Sequence, residues 1–262
     1  MKRLIVNADD LGLSVPITDG ILESHAHGIV TSASIMANGG AFEYAAAQSK
    51  QHPRLSLGLH LSLVEEPWLT TGTPMAPDYG AFAKSVYGGQ IQPQQIEQEL
   101  RAQLTRCREH GLTLRHIDSH QHVHALPAVM RIVVRLAKEF EIPRVRVPLD
   151  SPFRSGAIGS SRFLGKTVLC LLSLQAANTV RAAGLKACDR MTGLFESGSL
   201  NEARLLAILQ HLHEGTTELM CHPGKRDANY AHWKFHWEDE WKALTSPTVR
   251  SLIQSLRIQL TQ

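Results

Sequence analysis

Ionisable side chains recur at every second residue along His116-Ile117-Asp118-Ser119-His120-Gln121-His122-Val123-His124. Residues two apart on an extended strand share a face. Read as a strand, His116, Asp118, His120, His122 and His124 form one polar row, with Ile117 and Val123 on the other side. At about 3.3 Å per residue such a row stretches about 26 Å. A metal bound at about 2.0–2.2 Å can therefore use at most two neighbours of it. The remaining members must orient those ligands or meet a substrate. Pro127 suits the first turn of a helix, so the row is expected to run off a strand end into a strand-to-helix loop.

Four other groups fall at the ends of strand-like runs. Asp9 and Asp10 follow Leu4-Ile5-Val6, and His60 closes Leu55 to Leu61. Arg146 lies in Arg144-Val145-Arg146-Val147-Pro148, and His222 follows Glu218 to Cys221. Each has a plain structural reading: a turn cap at Gly12, a surface ion pair, a turn before Pro223. Their coincidence at the carboxyl ends of strands favours one shared polar mouth. One carboxylate and two histidines with open positions suit zinc, iron, manganese or cobalt. Such an ion lowers the pKa of bound water toward about 7, and a second carboxylate can take that water's proton. The pair Asp9-Asp10 supplies both only if the backbone turns there, because adjacent side chains diverge on a straight strand. Arg146 can hold the base ionised. His222 can protonate a leaving group or stabilise an oxyanion from the opposite side. The chemistry this describes is hydrolysis of an amide or ester.

These residues need a scaffold in which strand ends converge, and strands and helices do alternate along the chain. Strand runs at 4–6, 32–36, 55–61, 144–148, 191–195 and 218–221 are separated by helical patterns opening at Ser14-x-Pro16, Ala41, Pro93, Pro127 and Asn201-Glu202. Leu256 to Leu260 reads as a last strand. The alternation predicts a single α/β domain over 1–262, with a mostly parallel sheet and covering helices. Two stretches depart from it. Residues 64–92, rich in proline and glycine, read as a long irregular loop. Residues 149–186 read as an insertion, Gly/Ser-rich first and then apolar.

Composition sets outer bounds. A chain of 262 residues, 43% hydrophobic and 19% charged, can bury a core without staples. A formal charge of +3 with no basic run gives no support for a nucleic-acid partner. The 14 histidines raise the prior for a metal. Cys107, Cys170, Cys188 and Cys221 form no Cys-x-x-Cys pair and read as free thiols. The apolar run near Met1 is too short for a signal peptide, and the longest apolar stretch falls short of the ~20 residues of a membrane span. A cytoplasmic protein is expected.

At these same positions the sequence resembles the YdjC-like carbohydrate deacetylases. The matching motifs are Asn7-Ala8-Asp9-Asp10-x-Gly12, Gly58-Leu59-His60-Leu61, His116-x-Asp118-Ser119-His120-Gln121-His122-x-His124, Arg144-x-Arg146-x-Pro148 and Leu219-Met220-Cys221-His222-Pro223-Gly224. They run in order over nearly the whole chain. The resemblance implies a distorted (β/α) barrel, a single divalent metal (zinc, with magnesium, cobalt or manganese as alternatives) and removal of N-acetyl groups from amino sugars, often in a homodimer. It implies Asp10, His60 and His124 as metal ligands, Asp9 as general base and His222 as second catalytic histidine. It leaves His116, Asp118, His120 and His122 unassigned, with orientation of the ligands as the expectation for Asp118 and His120.

Two other classes remain open at the level of sequence. One is a two-metal phosphoesterase or amidohydrolase built on the surplus histidines. The other is a non-catalytic sugar- or metal-binding protein, which would need no base beside the ligands. The segment Phe163 to Leu174 is unusually apolar. A helix apolar on most sides is expected to be buried in the core, in a dimer, or against lipid. The last case would make a lipid-linked sugar the substrate, with peripheral membrane contact, as in the hopanoid-associated branch of the family.

Overall fold

The computed structural model describes residues 1–150 and 161–262. The Gly/Ser-rich start of the expected insertion, 151–160, lies outside the described residues.

The scaffold is a curled parallel sheet. Its strands are β1 (Lys2–Leu11), β2 (Ser32–Ile35), β3 (Ser56–Leu61), β4 (Leu114–Ser119), β5 (Arg144–Val145), β6 (Arg190–Thr192) and β7 (Gly215–Cys221). They stand in the order β5-β4-β3-β2-β1-β7-β6, every pair parallel, and a short β8 (Gln259–Leu260) pairs with the start of β1. Lys186, just before β6, forms a parallel bridge with Arg144 of β5, so the segment leading into one sheet edge touches the other. The arrangement is the distorted (β/α) barrel expected.

Helices cover this sheet: α1 (Val15–Ala26), α2 (Phe42–Ser49), α3 (Tyr79–Tyr87), α4 (Pro93–Glu109), α5 (Pro127–Glu139), α6 (Ser161–Ala182), α7 (Glu202–Gln210), α8 (Trp237–Thr245) and α9 (Pro247–Ser255). Their starts follow local chemistry. Ser14 caps α1 with Pro16 in its first turn, Gln92 and Gln95 form a capping box on α4, and Asn201 caps α7. The stripe Ile96, Leu100, Leu104 and Cys107 is buried, as its spacing on α4 predicts.

Two expectations change, and a third is refined. The histidine-rich stretch is not one strand with one polar row. β4 ends at Ser119, and His120–Ala125 coil into a short 3-10 turn. Gln121 and His122 stand there in the left-handed region (φ 50° and 56°), which re-aims every later side chain. The segment 64–92 is not all irregular, since it carries α3 and a tied loop. Glu99 of α4, fully buried, accepts from the Leu69 and Thr70 amides, and the buried Trp68 donates from Nε1 to the Leu63 carbonyl. The refinement is on α6, which buries one side against the rest of this chain. Cys170, Ser173, Ala176 and Val180 face the core, while Val168, Leu171 and Leu174 are 48%, 64% and 52% exposed. Leu172 packs on the core. Among the described residues, no helix is long and apolar enough to cross a membrane.

Candidate active site

The carboxyl ends of β1, β3, β4 and β7 surround a cavity of about 710 Å³. Asp9, Asp10, His60, His120, His122 and His222 all line it. Asp10 is reached through a local turn. Its φ of 68° is left-handed, and the pairing of β1 with β2 shifts register between Ala8 and Leu11. Asp is one of the few residues that tolerates this conformation. The turn therefore separates the two adjacent carboxylates, as their dual use requires.

Asp9 faces Arg146. The guanidinium donates from Nη1 to Asp9 Oδ2 at 2.6 Å and from Nη2 to Asp9 Oδ1 at 2.7 Å. Nη2 also lies 2.8 Å from Asp118 Oδ2, and Nε donates to Glu218 Oε1 at 2.7 Å. All four side chains are buried. Burial opposes the Asp118 charge, but Arg146 and His60 outweigh it and hold the carboxyl well below the usual range. Asn7 Nδ2 adds bonds to Asp9 Oδ1 and Ser34 Oγ, both 2.8 Å, and Ser34 donates to Asp118 Oδ2 at 2.6 Å. Asp9 Oδ1 thus takes two bonds, whereas Oδ2 takes one and keeps an acceptor position open.

Asp10 faces two imidazoles. His60 Nε2 lies 3.3 Å and His120 Nδ1 3.4 Å from Asp10 Oδ1, yet neither Asp10 oxygen makes a hydrogen bond. The far nitrogen of each ring is bound to a carboxylate: His60 Nδ1 to Asp118 Oδ1 at 2.7 Å, and His120 Nε2 to Glu65 Oε2 at 2.6 Å. This fixes the tautomers so that each near nitrogen faces Asp10, the carboxylate–histidine–metal arrangement of metal sites. A fully buried carboxylate with both oxygens unsatisfied, opposite two aimed imidazoles, fits a divalent cation. Asp9, His60 and Asp118 form a second cluster of possible ligands, but Arg146 already pairs with both of its carboxylates.

His124, which the family resemblance implies as a ligand, does not join Asp10 and His60. Its Nδ1 is bonded to the Ser119 hydroxyl, and its Nε2–H donates to the Arg146 carbonyl at 3.0 Å. Burial pulls its pKa down to about 4. The ligand geometry instead belongs to His120, because the left-handed residues 121 and 122 turn the chain immediately after it. His122 reaches the cavity but not Asp10's cluster, and its Nδ1 has no partner. His116 sits deeper, with Nε2 3.0 Å from Ser34 Oγ. Gly58 makes room for it: a Cβ there would lie 2.2 Å from the His116 ring.

His222 hangs over the cavity. Its amide donates to Glu240 Oε2 at 2.6 Å, its ring packs edge-on against Phe235, and its Nδ1 is buried without a partner. Burial lowers its pKa, so the ring is neutral at neutral pH. Glu240 also accepts from the Leu200 amide at 3.2 Å, and burial pushes its carboxyl up to about 8.

Several contributors escape a reading of the sequence. Asn7 lies two residues before Asp9, so strand periodicity places both on one face and was a usable signal. Ser34, Glu218 and Glu240 have ordinary spacing within apolar elements. Glu65 and Trp233 lie in aperiodic segments, yet both meet His120, Trp233 by stacking at 4.9 Å.

A parallel α/β barrel with a buried Asp/His metal-binding group at its strand ends defines the class. The chain belongs to the YdjC-like protein family, which it matches over residues 3–255. A carbohydrate deacetylase from Geobacillus stearothermophilus is 32% identical over 272 residues, 99% of this chain and 96% of that protein. Another from Brevibacillus brevis is 46% identical over 158 residues, 56% of this chain; the match spans 59% of that relative's length. Among solved structures, an Enterococcus faecalis protein described as a candidate cellobiose-phosphate cleavage protein superposes with a TM-score of 0.75 at 23% identity, covering 100% of this chain and 97% of that one.

The geometry separates His120 from His124 experimentally. Asp10→Ala, His60→Ala and His120→Ala are each expected to lower metal content strongly by elemental analysis. His124→Ala is expected to keep the metal while losing thermal stability. Metal retained by His120→Ala and lost by His124→Ala would reverse the assignment.

Metal binding should also be coupled to protons. Burial lowers the pKa of both rings, but Asp118, Asp9 and Asp10 raise His60 to about 10, and Asp10 and Glu65 raise His120 to about 9. Below pH 9 each ring carries a proton on the nitrogen an ion would need, so raising the pH removes the competitor. Calorimetry in buffers of different ionisation enthalpy should find about two protons released per ion near pH 7, with affinity rising up to about 100-fold per pH unit and levelling above about pH 10.

Proposed function

We propose that the protein is a metal-dependent hydrolase that removes the N-acetyl group from an amino sugar. The observation that carries this reading is Asp9 and Asp10 side by side but differently employed. Asp10 faces two imidazoles with its oxygens unsatisfied, and Asp9 keeps an open acceptor position against Arg146. Membership of the YdjC-like family and the carbohydrate deacetylase relatives support it. Asp10, His60 and His120 would hold one divalent ion, zinc first among the candidates. The ion would supply a Lewis acid that acidifies water toward a pKa of about 7. Asp9 Oδ2 accepts the proton of the attacking water, while Arg146 and Asn7 keep the carboxylate in place. His222, neutral and with an unbonded ring nitrogen, donates its ring N–H to the developing oxyanion, and the proton that Asp9 took from the water passes to the departing amine. The two-metal alternative gains no support, since Arg146 neutralises the second cluster. Asp9 beside Asp10 speaks against a binding protein, which needs no base there.

The substrate's remainder has a candidate surface too. Val168 and Leu169 of α6 line the cavity, with Leu194, Met220 and Phe235, and the exposed apolar stripe Val168-Leu171-Leu174 runs on from them. This favours, as a second reading, a sugar carrying an apolar group such as a lipid.

Acetate release from a panel of N-acetylated sugars and glycolipids, with zinc added back, tests the proposal. Asp9→Asn is expected to retain metal and lose activity by about two or more orders of magnitude; full activity would remove Asp9 from the mechanism. Val168→Ser with Leu171→Ser should raise KM for a lipid-linked amino sugar and spare a short soluble one. Equal losses on both, with a lower Tm, would make the stripe structural.

A further inference from the structure

Beside the catalytic cavity lies a second hollow of about 600 Å³. Its walls are Glu65 and Glu66 on one side and Tyr230, His232 and Trp233 on the other, with Met75 and prolines closing it. The two spaces meet at His120, which Glu65 hydrogen-bonds and Trp233 stacks upon. We propose that this hollow binds a neighbouring amino-sugar ring through a free, protonated amine, so that a partly deacetylated oligosaccharide is a better substrate than the fully acetylated one. The inference rests on the deacetylase reading above.

The lining determines the ligand's chemistry. Tyr230 and Trp233 meet edge to face at 5.1 Å, an aromatic corner against which the C–H face of a pyranose packs. Such rings also attract an ammonium group. Two carboxylates with no lysine or arginine among the lining residues favour a cation over a neutral acetamide. Glu65 spends Oε2 on His120, whereas Glu66 takes a single side-chain bond, from the Tyr230 hydroxyl to Oε1 at 3.1 Å. Burial pushes the Glu66 carboxyl above its usual range, a strain that a cation beside it relieves. The hollow is also built in advance of any ligand. Glu65 stands at φ 64°, held by its amide bond to the Ala76 carbonyl at 3.0 Å, and Trp233 is braced by Phe235 and Trp237. A metal ion suits the place less well, because aromatic rings supply no ligands and one oxygen of each glutamate is already hydrogen-bonded. The shared wall at His120 puts a ring bound here next to the ring being deacetylated.

The test compares fully acetylated chitobiose with its two mono-deacetylated forms on the metal-loaded enzyme, by acetate release. One mono-deacetylated form should show kcat/KM at least roughly tenfold higher, the scale of one charge-assisted bond. In Glu66→Gln that ratio should fall to near one. Equal rates in the wild type, or a preference that survives Glu66→Gln, overturn the proposal. Calorimetry with fully deacetylated chitobiose, which has no acetyl group to lose, reads the hollow without catalysis. Binding should be salt-sensitive and roughly tenfold weaker in Glu66→Gln. If no sugar releases acetate, the deacetylase reading fails, and the calorimetric result alone decides whether the hollow takes an amino sugar; no binding there overturns it.

Discussion

One guanidinium holds the interior of this protein together electrically. Arg146 is buried among Asp9, Asp118 and Glu218, and three carboxylates without it would each cost several kcal/mol to keep out of water. The planar fork of arginine is needed because the three partners are met by different nitrogens at once, a geometry lysine cannot reproduce. Dependence then passes outward. Asp118, charged because of Arg146, accepts from His60 Nδ1; His60 so fixed turns Nε2 toward Asp10. The backbone shares in it: the Arg146 amide donates to the Ile117 carbonyl at 2.9 Å, and its carbonyl accepts from His124. His124 thus secures the arginine from behind.

The fold and the members of the site were largely legible from sequence, and the reason is topological. A parallel sheet brings strand ends together, so Asp9, Asp10, His60, Arg146 and His222 could be gathered without knowing any angle. Division of labour among the histidines was not legible. Strict alternation implies a strand, and only the left-handed pair Gln121-His122 ends it, a conformation that neither residue type announces. Resemblance picked His124 where the geometry picks His120, two turn residues apart in effect though four apart in sequence. The partners that set tautomers were harder still. Glu65 lies in a segment with no periodicity, and its proximity to His120 depends on the loop tied by Glu99 and Trp68.

The apolar helix shows the limit of reading a pattern for burial. Its composition predicted burial in the core, in a dimer, or against lipid, and left open which side would meet the core. α6 anchors by Cys170, Ser173, Ala176 and Val180, with Leu172 packed beside them, and turns Val168, Leu171 and Leu174 outward.

The connection that carries α6 leaves β5 and returns at β6, the two edges of the sheet, and α6 supplies the cavity wall at Val168 and Leu169. Asp9, Asp10 and His60 sit on strands whose register is locked by their neighbours, and His120 and His222 directly follow strands, while this wall of the cavity sits on a crossover whose length the sheet does not dictate. A change in the lining of that crossover therefore alters the cavity wall without moving Asp9, Asp10 or His60.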